Sequence, residues 1–149
     1  MSLADPRRRD AGEPYCFLSG TLTGNPISAT AGLATLRLLK EPGTYDRLRA
    51  RTHQLSDGIR QMGQRKGIQL LVGECCSMIQ VYFTEQNTLS NARDVLKTDK
   101  KMAVKFGRKL IENGVLTTPG GKMYLSTGHS EEDIEETLSV IGMTLDEII

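Results

Sequence analysis

The sequence predicts an α+β fold, with an antiparallel sheet covered by helices and preceded by a linking helix. Three observations lead there. Apolar residues recur at helical spacing in several stretches, short strand-like runs flank turn residues, and helices and strands come in groups. The order reads as two helices, two strands, a helix, two strands and a helix. With 149 residues the chain suits one domain with a real core, able to bury about 68–70% of its unfolded surface.

Residues 1–14 hold Asp5, Pro6, three arginines, Gly12 and Pro14, with almost nothing to bury. A disordered or loosely docked lead-in is expected there. Tyr15-Cys16-Phe17-Leu18 is expected to form a short strand, followed by a loop over residues 19–24. Asn25-Pro26 then signals a helix start. Asn is a favoured N-cap, and Pro suits the first helical position because its missing N–H would be unpaired there anyway. Ala29, Ala31, Gly32 and Ala34 make this helix a close-approach surface. Leu33, Leu36, Leu38 and Leu39 add larger contacts before Pro42-Gly43 breaks the run.

Thr44 is expected to cap a second helix, in which Tyr45, Leu48, Leu55, Ile59 and Met62 recur at helical spacing and Gly67 ends the run. Arg47, Arg49, Arg51 and Arg60 fall mostly off that stripe. Residues 68–72 and 77–83 predict two strands around the turn Gly73-Glu74, with thiols of Cys75 and Cys76 buried in or beside a strand. In the second strand Ile79, Val81 and Phe83 alternate with Met78, Gln80 and Tyr82, so one face should be buried better. The polar residues 84–97 predict a surface loop.

A third helix is expected over residues 98–113, with Met102, Ala103, Phe106 and Leu110 along one stripe and Gly114 as its stop. Val115-Leu116-Thr117 and Met123-Tyr124-Leu125-Ser126 predict strands flanking Pro119-Gly120-Gly121. Ser130 can cap the last helix, where Glu131, Glu132 and Asp133 suit the positive end of the helix dipole. Its buried stripe is Ile134, Leu138, Ile141 and Leu145. The organisation is thus a lead-in over 1–14, a loop and linking helix over 15–43, and a small domain over 44–149.

Bulk composition narrows the function classes. A formal net charge of +1 gives no global electrostatic case for nucleic acid or an anionic membrane. Arg7-Arg8-Arg9 is short, flanked by Asp5 and Asp10, and reads as a solvated tail. No apolar run approaches the length of a membrane span, and the start lacks the hydrophobic core of a signal peptide. An odd count of three cysteines argues against a disulfide framework and for a reducing cytoplasm.

Self-contained catalysis finds little support. No serine or cysteine sits in a nucleophile elbow. His53 and His129 are far apart, and Cys75-Cys76 has the wrong spacing for half of a zinc site. Pro119-Gly120-Gly121-Lys122 lacks the full glycine-rich phosphate loop. No catalytic residue and no metal ligand is assigned. The loop over 20–26 differs: Gly20 and Gly24 permit tight turns, Thr21 and Thr23 offer hydroxyls, and backbone amides stand just before a helix N-terminus. Such a loop can hold a phosphate, although a plain capped turn describes the same residues at least as well.

Gly20-Thr21-Leu22-Thr23-Gly24-Asn25-Pro26, with the small-residue helix through Ala31-Gly32-Leu33-Ala34-Thr35-Leu36, resembles a segment of the class III aminotransferase family. The likeness continues through Pro42-Gly43-Thr44-Tyr45, Leu55-Ser56-Asp57-Gly58, Ser77-Met78, Phe83-Thr84 and His129-Ser130-Glu131-Glu132-Asp133-Ile134. It runs in order from about residue 17 to the end, and is strongest to the glutamate-1-semialdehyde 2,1-aminomutase branch.

The resemblance implies the small C-terminal domain of a fold-type I transferase that uses pyridoxal phosphate. It implies that Gly20 and Thr21 contact the cofactor phosphate of a partner subunit in a homodimer. The linking helix would pack on a large domain that carries the cofactor lysine upstream of this loop, and residues 44–149 would cover the active site. Because that lysine region is not among the 149 residues, the chain by itself is expected to bind no cofactor and to be inactive. The aminomutase branch carries a Ser-Gln-Phe-Glu stretch where this chain has Gly120-Gly121-Lys122-Met123, which makes a transaminase equally plausible. The expected function is part of an enzyme that moves an amino group on a small amino or keto substrate. The rival is a stand-alone, non-catalytic interaction or regulatory module derived from the same domain.

Overall fold

The computed structural model describes residues 2–149. It divides into two units, the residues up to Glu41 and Pro42–Ile149. The first unit holds a short helix α1 (Pro6–Asp10) and a longer α2 (Pro26–Leu39). Residues 2–14 therefore carry local order: Asp5 caps α1 by accepting from the Arg7 amide, with Pro6 at the first turn. Residues 15–18 form no strand, which corrects the expectation for them. The Cys16 amide bonds the Leu3 carbonyl, with no ladder to extend.

Helix α2 starts as the sequence predicts. Asn25 accepts from the amides of Ile27 and Ser28, and Pro26 occupies the first turn. No residue of α2 is buried, and Ile27, Leu33, Leu36 and Leu38 are all exposed.

The second unit begins with α3 (Thr44–Lys66). Its N-cap is Gly43, left-handed and without a side-chain cap, so Thr44 is the first helical residue and not the cap expected. The side chain is instead buried. Leu55 and Ile59 lie in the core with Leu48 and Met62 against it, whereas Tyr45, in the first turn, is exposed. Gly67 closes α3 in the left-handed conformation.

Strands β1 (Leu70–Cys75) and β2 (Met78–Phe83) form a hairpin, and β3 (Lys122–Tyr124) pairs antiparallel with the other edge of β2. Sheet order is β1-β2-β3. The hairpin turn is Cys76-Ser77, because Cys75 pairs with Met78 and Gly73 with Gln80 inside the ladder. Gly73-Glu74, expected as the turn, is strand. Cys75 and Cys76 are consequently exposed at the hairpin tip, not buried. Residues 115–117 also form no strand: Leu116 is 89% exposed and has no apolar face to join. The loop after β2 contains one turn of helix, α4 (Ala92–Val95), capped by Asn91.

Alternation along β2 sorts the sheet's two faces. Ile79, Val81 and Phe83 are buried, joined by Met123 of β3. Helices α3, α5 (Lys100–Glu112) and α6 (Glu131–Ile148) cover that face. Phe106 of α5 meets Phe83 edge-on, with centroids 5.5 Å apart at 71°, a geometry that adds to simple burial. Ile134, Ile141 and Leu145 of α6 are fully enclosed, each contributing about 1.5–3 kcal/mol by leaving water. Ser130 and Asp133 form a reciprocal capping box at the start of α6. The opposite sheet face carries Leu71, Tyr82, Gln80, Met78 and Tyr124; Met78 and Tyr124 are exposed, while Leu71 and Tyr82 border a hollow shared with Val95 of α4. Among the described residues no helix is long and apolar enough to cross a membrane.

Candidate functional site

Residues 20–24, just before α2, form a compact turn with its own hydrogen bonds. The Thr23 amide donates to the Gly20 carbonyl at 2.9 Å and the Asn25 amide to the Leu22 carbonyl at 3.0 Å. Asn25 takes the Ile27 and Ser28 amides at 2.9 and 3.1 Å. The first amides of α2 are therefore already occupied. The donors left in the loop are the hydroxyls and amides around Thr21 and Leu22, all on exposed residues.

Glycine at position 20 suits the backbone that the turn adopts. A Cβ on it would lie 2.7 Å from the Thr23 hydroxyl oxygen, and its φ of 156° is one that side-chain-bearing residues avoid. Residues 19–25 include no acidic side chain, so nothing in the loop repels an anion. The turn thus fits a phosphate contact made by exposed N–H and O–H donors. No lysine or arginine lies within residues 19–25 to add a charged contact.

A second polar arrangement lies in the other unit, where residue patterns alone single out nothing. Ser56 on α3 is fully buried and donates to the Glu74 carboxylate, which extends from β1, and to the His53 carbonyl at 3.0 Å. His53 bridges Asp57 at 3.0 Å and Glu74 at 3.4 Å. Arg60 joins Asp57 at 2.5 Å and the Val72 carbonyl at 3.1 Å. Burial pushes the Glu74 carboxyl up. Hydrogen bonds from Ser56 and His53, with the charges of His53 and Arg60, outweigh that and hold it below the ordinary carboxylate range. These contacts pin β1 to α3. Ser56 is inaccessible and donates to a carboxylate, so it is no nucleophile. The spacing His53, Ser56, Asp57, Arg60 puts four polar groups on one helix face, but Glu74 joins them only through the tertiary fold.

The remaining residues stay apart. His129 accepts from the Ser126 amide at 3.0 Å in the turn before α6. Lys122 sits on edge strand β3. Among the described residues no group of three or more His, Cys, Asp or Glu is placed to hold a metal.

Comparison with known proteins places this geometry. No family model matches the chain. The glutamate-1-semialdehyde 2,1-aminomutase of Dichelobacter nodosus (strain VCS1703A) is 32% identical over 126 residues, which is 83% of this chain and 30% of that protein. An omega-transaminase from Sphaerobacter thermophilus superposes with a TM-score of 0.77 at 23% identity, over 99% of this chain and 33% of that one. A glutamate-1-semialdehyde-aminomutase from Pseudomonas aeruginosa PAO1 in complex with PMP gives 0.76 at 19% identity, over 98% and 34%. The chain spans about a third of the length of these relatives. In fold it is the small C-terminal domain of a fold-type I transferase with its preceding helix, and in sequence it is similar to the C-terminal portion of class III pyridoxal-phosphate-dependent aminotransferases of the glutamate-1-semialdehyde 2,1-aminomutase kind.

Proposed function

We propose that this chain is the C-terminal part of a pyridoxal-phosphate-dependent aminomutase or aminotransferase that moves an amino group on a small amino or keto substrate. The likeness in sequence order over 126 residues to an aminomutase carries this reading. When bound, the cofactor supplies an electron sink for that transfer. Thr21 donates its hydroxyl and amide to phosphate oxygens of a cofactor held by a partner subunit, and Gly20 lets the backbone come close. Helix α2 packs its exposed apolar side on a large domain of the same enzyme, and residues 44–149 cover the reacting groups and exclude water. The assembled enzyme is a homodimer in the cytoplasm. The cofactor lysine lies outside these 149 residues, so the chain alone does not turn over.

Between the two reactions, Gly120-Gly121-Lys122-Met123 lacks the acid of the aminomutase branch, with Met123 in its place, so a transaminase stands level with an aminomutase. Intact mass of the product made in native cells is the first test. A product much heavier than 149 residues, in which Thr21→Val weakens cofactor retention about 10-fold or more, supports the reading. A product of this length that neither retains a large-domain polypeptide nor responds to Thr21→Val overturns it in favour of a non-catalytic interaction module.

A further inference from the structure

The tip of the β1–β2 hairpin concentrates sulfur. Cys75 and Cys76 are consecutive, and both thiols are free and exposed. Cys75 pairs with Met78 across the hairpin, so their side chains leave the same sheet face with Cβ atoms about 4.5–5.5 Å apart. Cys75 and Met78 border an open hollow with Glu74, Gln80, Tyr82 and Lys122, and Cys76 follows Cys75 in the turn. Met78 is itself 41% exposed.

Packing does not account for this set. Neither thiol contributes to the core, and Cys76 occupies a left-handed position, φ 53°, where glycine would fit with less strain. A disulfide between the two is also disfavoured. Every described peptide bond is trans, which sets neighbouring Cα atoms about 3.8 Å apart, less than the roughly 4.4–6.8 Å of a relaxed disulfide. A bridging ion removes that constraint, because two metal–sulfur bonds separate the sulfurs.

We propose that Cys75, Cys76 and Met78 form a binding site for one cuprous ion. Two thiolates and a thioether are soft donors, the class that selects Cu(I). Zinc prefers four nitrogen or sulfur ligands, and neither a histidine nor Cys16 borders the hollow. On binding, the two S–H protons pass to solvent, two thiolate–copper bonds form, and the Met78 sulfur donates the third pair. Copper remains Cu(I) and nothing is oxidised. The complex carries one negative charge, which the Lys122 ammonium bordering the hollow suits.

The test is an anaerobic titration of the reduced chain against Cu(I) held by the coloured chelator bicinchoninate. The chain is expected to withdraw one equivalent, and Cys16→Ser to behave identically. Cys75→Ser and Cys76→Ser should each lose about 100-fold in affinity and Met78→Leu about 10-fold. All four sites are exposed, so matching far-UV circular dichroism is expected throughout. No withdrawal of copper, unchanged affinity in both Cys75→Ser and Cys76→Ser, or loss on Cys16→Ser overturns the site. Unchanged affinity in Met78→Leu alone overturns the third donor.

Discussion

A methyl group on Gly107 would lie 2.7 Å from the Pro119 carbonyl oxygen and 2.9 Å from the Gly121 amide nitrogen. Helix α5 therefore runs against the backbone of the turn that leads into β3. The contact is with main chain, which cannot rotate away as a side chain would. Gly107→Ala should destabilise the domain by about 1–3 kcal/mol, although alanine is the better helix former. Urea denaturation of the two proteins checks this. Equal midpoints would mean that the turn moves freely.

Phe106, one residue earlier, points into the core, fully buried and edge-on to Phe83. Phe106→Leu should cost less than Phe106→Ala, which leaves a cavity and loses about 3–5 kcal/mol. Paired melts of the variants read the difference, and similar losses for both would show that the core collapses around the gap.

The start of α6 depends on Ser130 and Asp133 capping each other. Ser130→Ala should cost about 1 kcal/mol. Ser130→Asp should recover most of it, since a carboxylate also caps and suits the dipole. Thermal melts of the three proteins test this, and an unchanged alanine variant would mean that α6 is held by packing alone.

Glu74 gives the domain a pH dependence whose sign follows from its shift. Its folded carboxyl titrates below the ordinary carboxylate range. The ionised form therefore contributes stability that is complete above that range and is lost as pH falls through the folded value. Urea midpoints should decline on acidification below about pH 5, and Glu74→Gln should flatten part of that decline. Asp133, held low by the Ser130 amide and hydroxyl, adds a slope of the same sign. A midpoint that rises on acidification would overturn both assignments.

Local signals sufficed where the chain states its own boundary conditions. Asn25-Pro26 starts α2, Gly67 ends α3, and Ser130 with Asp133 opens α6, because a cap is satisfied within three or four residues of itself. The alternation of Ile79, Val81 and Phe83 told which face of β2 is buried, since side chains on a strand change sides at every step. The turn–helix segment at Gly20 and Thr21 was likewise visible as a motif.

Only the tertiary structure decided matters that depend on a distant partner. The hairpin turned at Cys76-Ser77 and not at Gly73-Glu74, because register is set by pairing Leu70 with Phe83 while the core face is covered. Val115-Leu116-Thr117 looks like a strand but joins no ladder, its Val115 amide being taken by the Leu110 carbonyl at the end of α5, whereas Lys122–Tyr124 becomes one by reaching the free edge of β2. Glu74 reads as a turn acid until α3 brings Ser56, His53 and Arg60 to it. Caps and alternation are local properties of the backbone. Register, edge pairing and a shifted carboxylate are set by residues that meet only after the chain has folded.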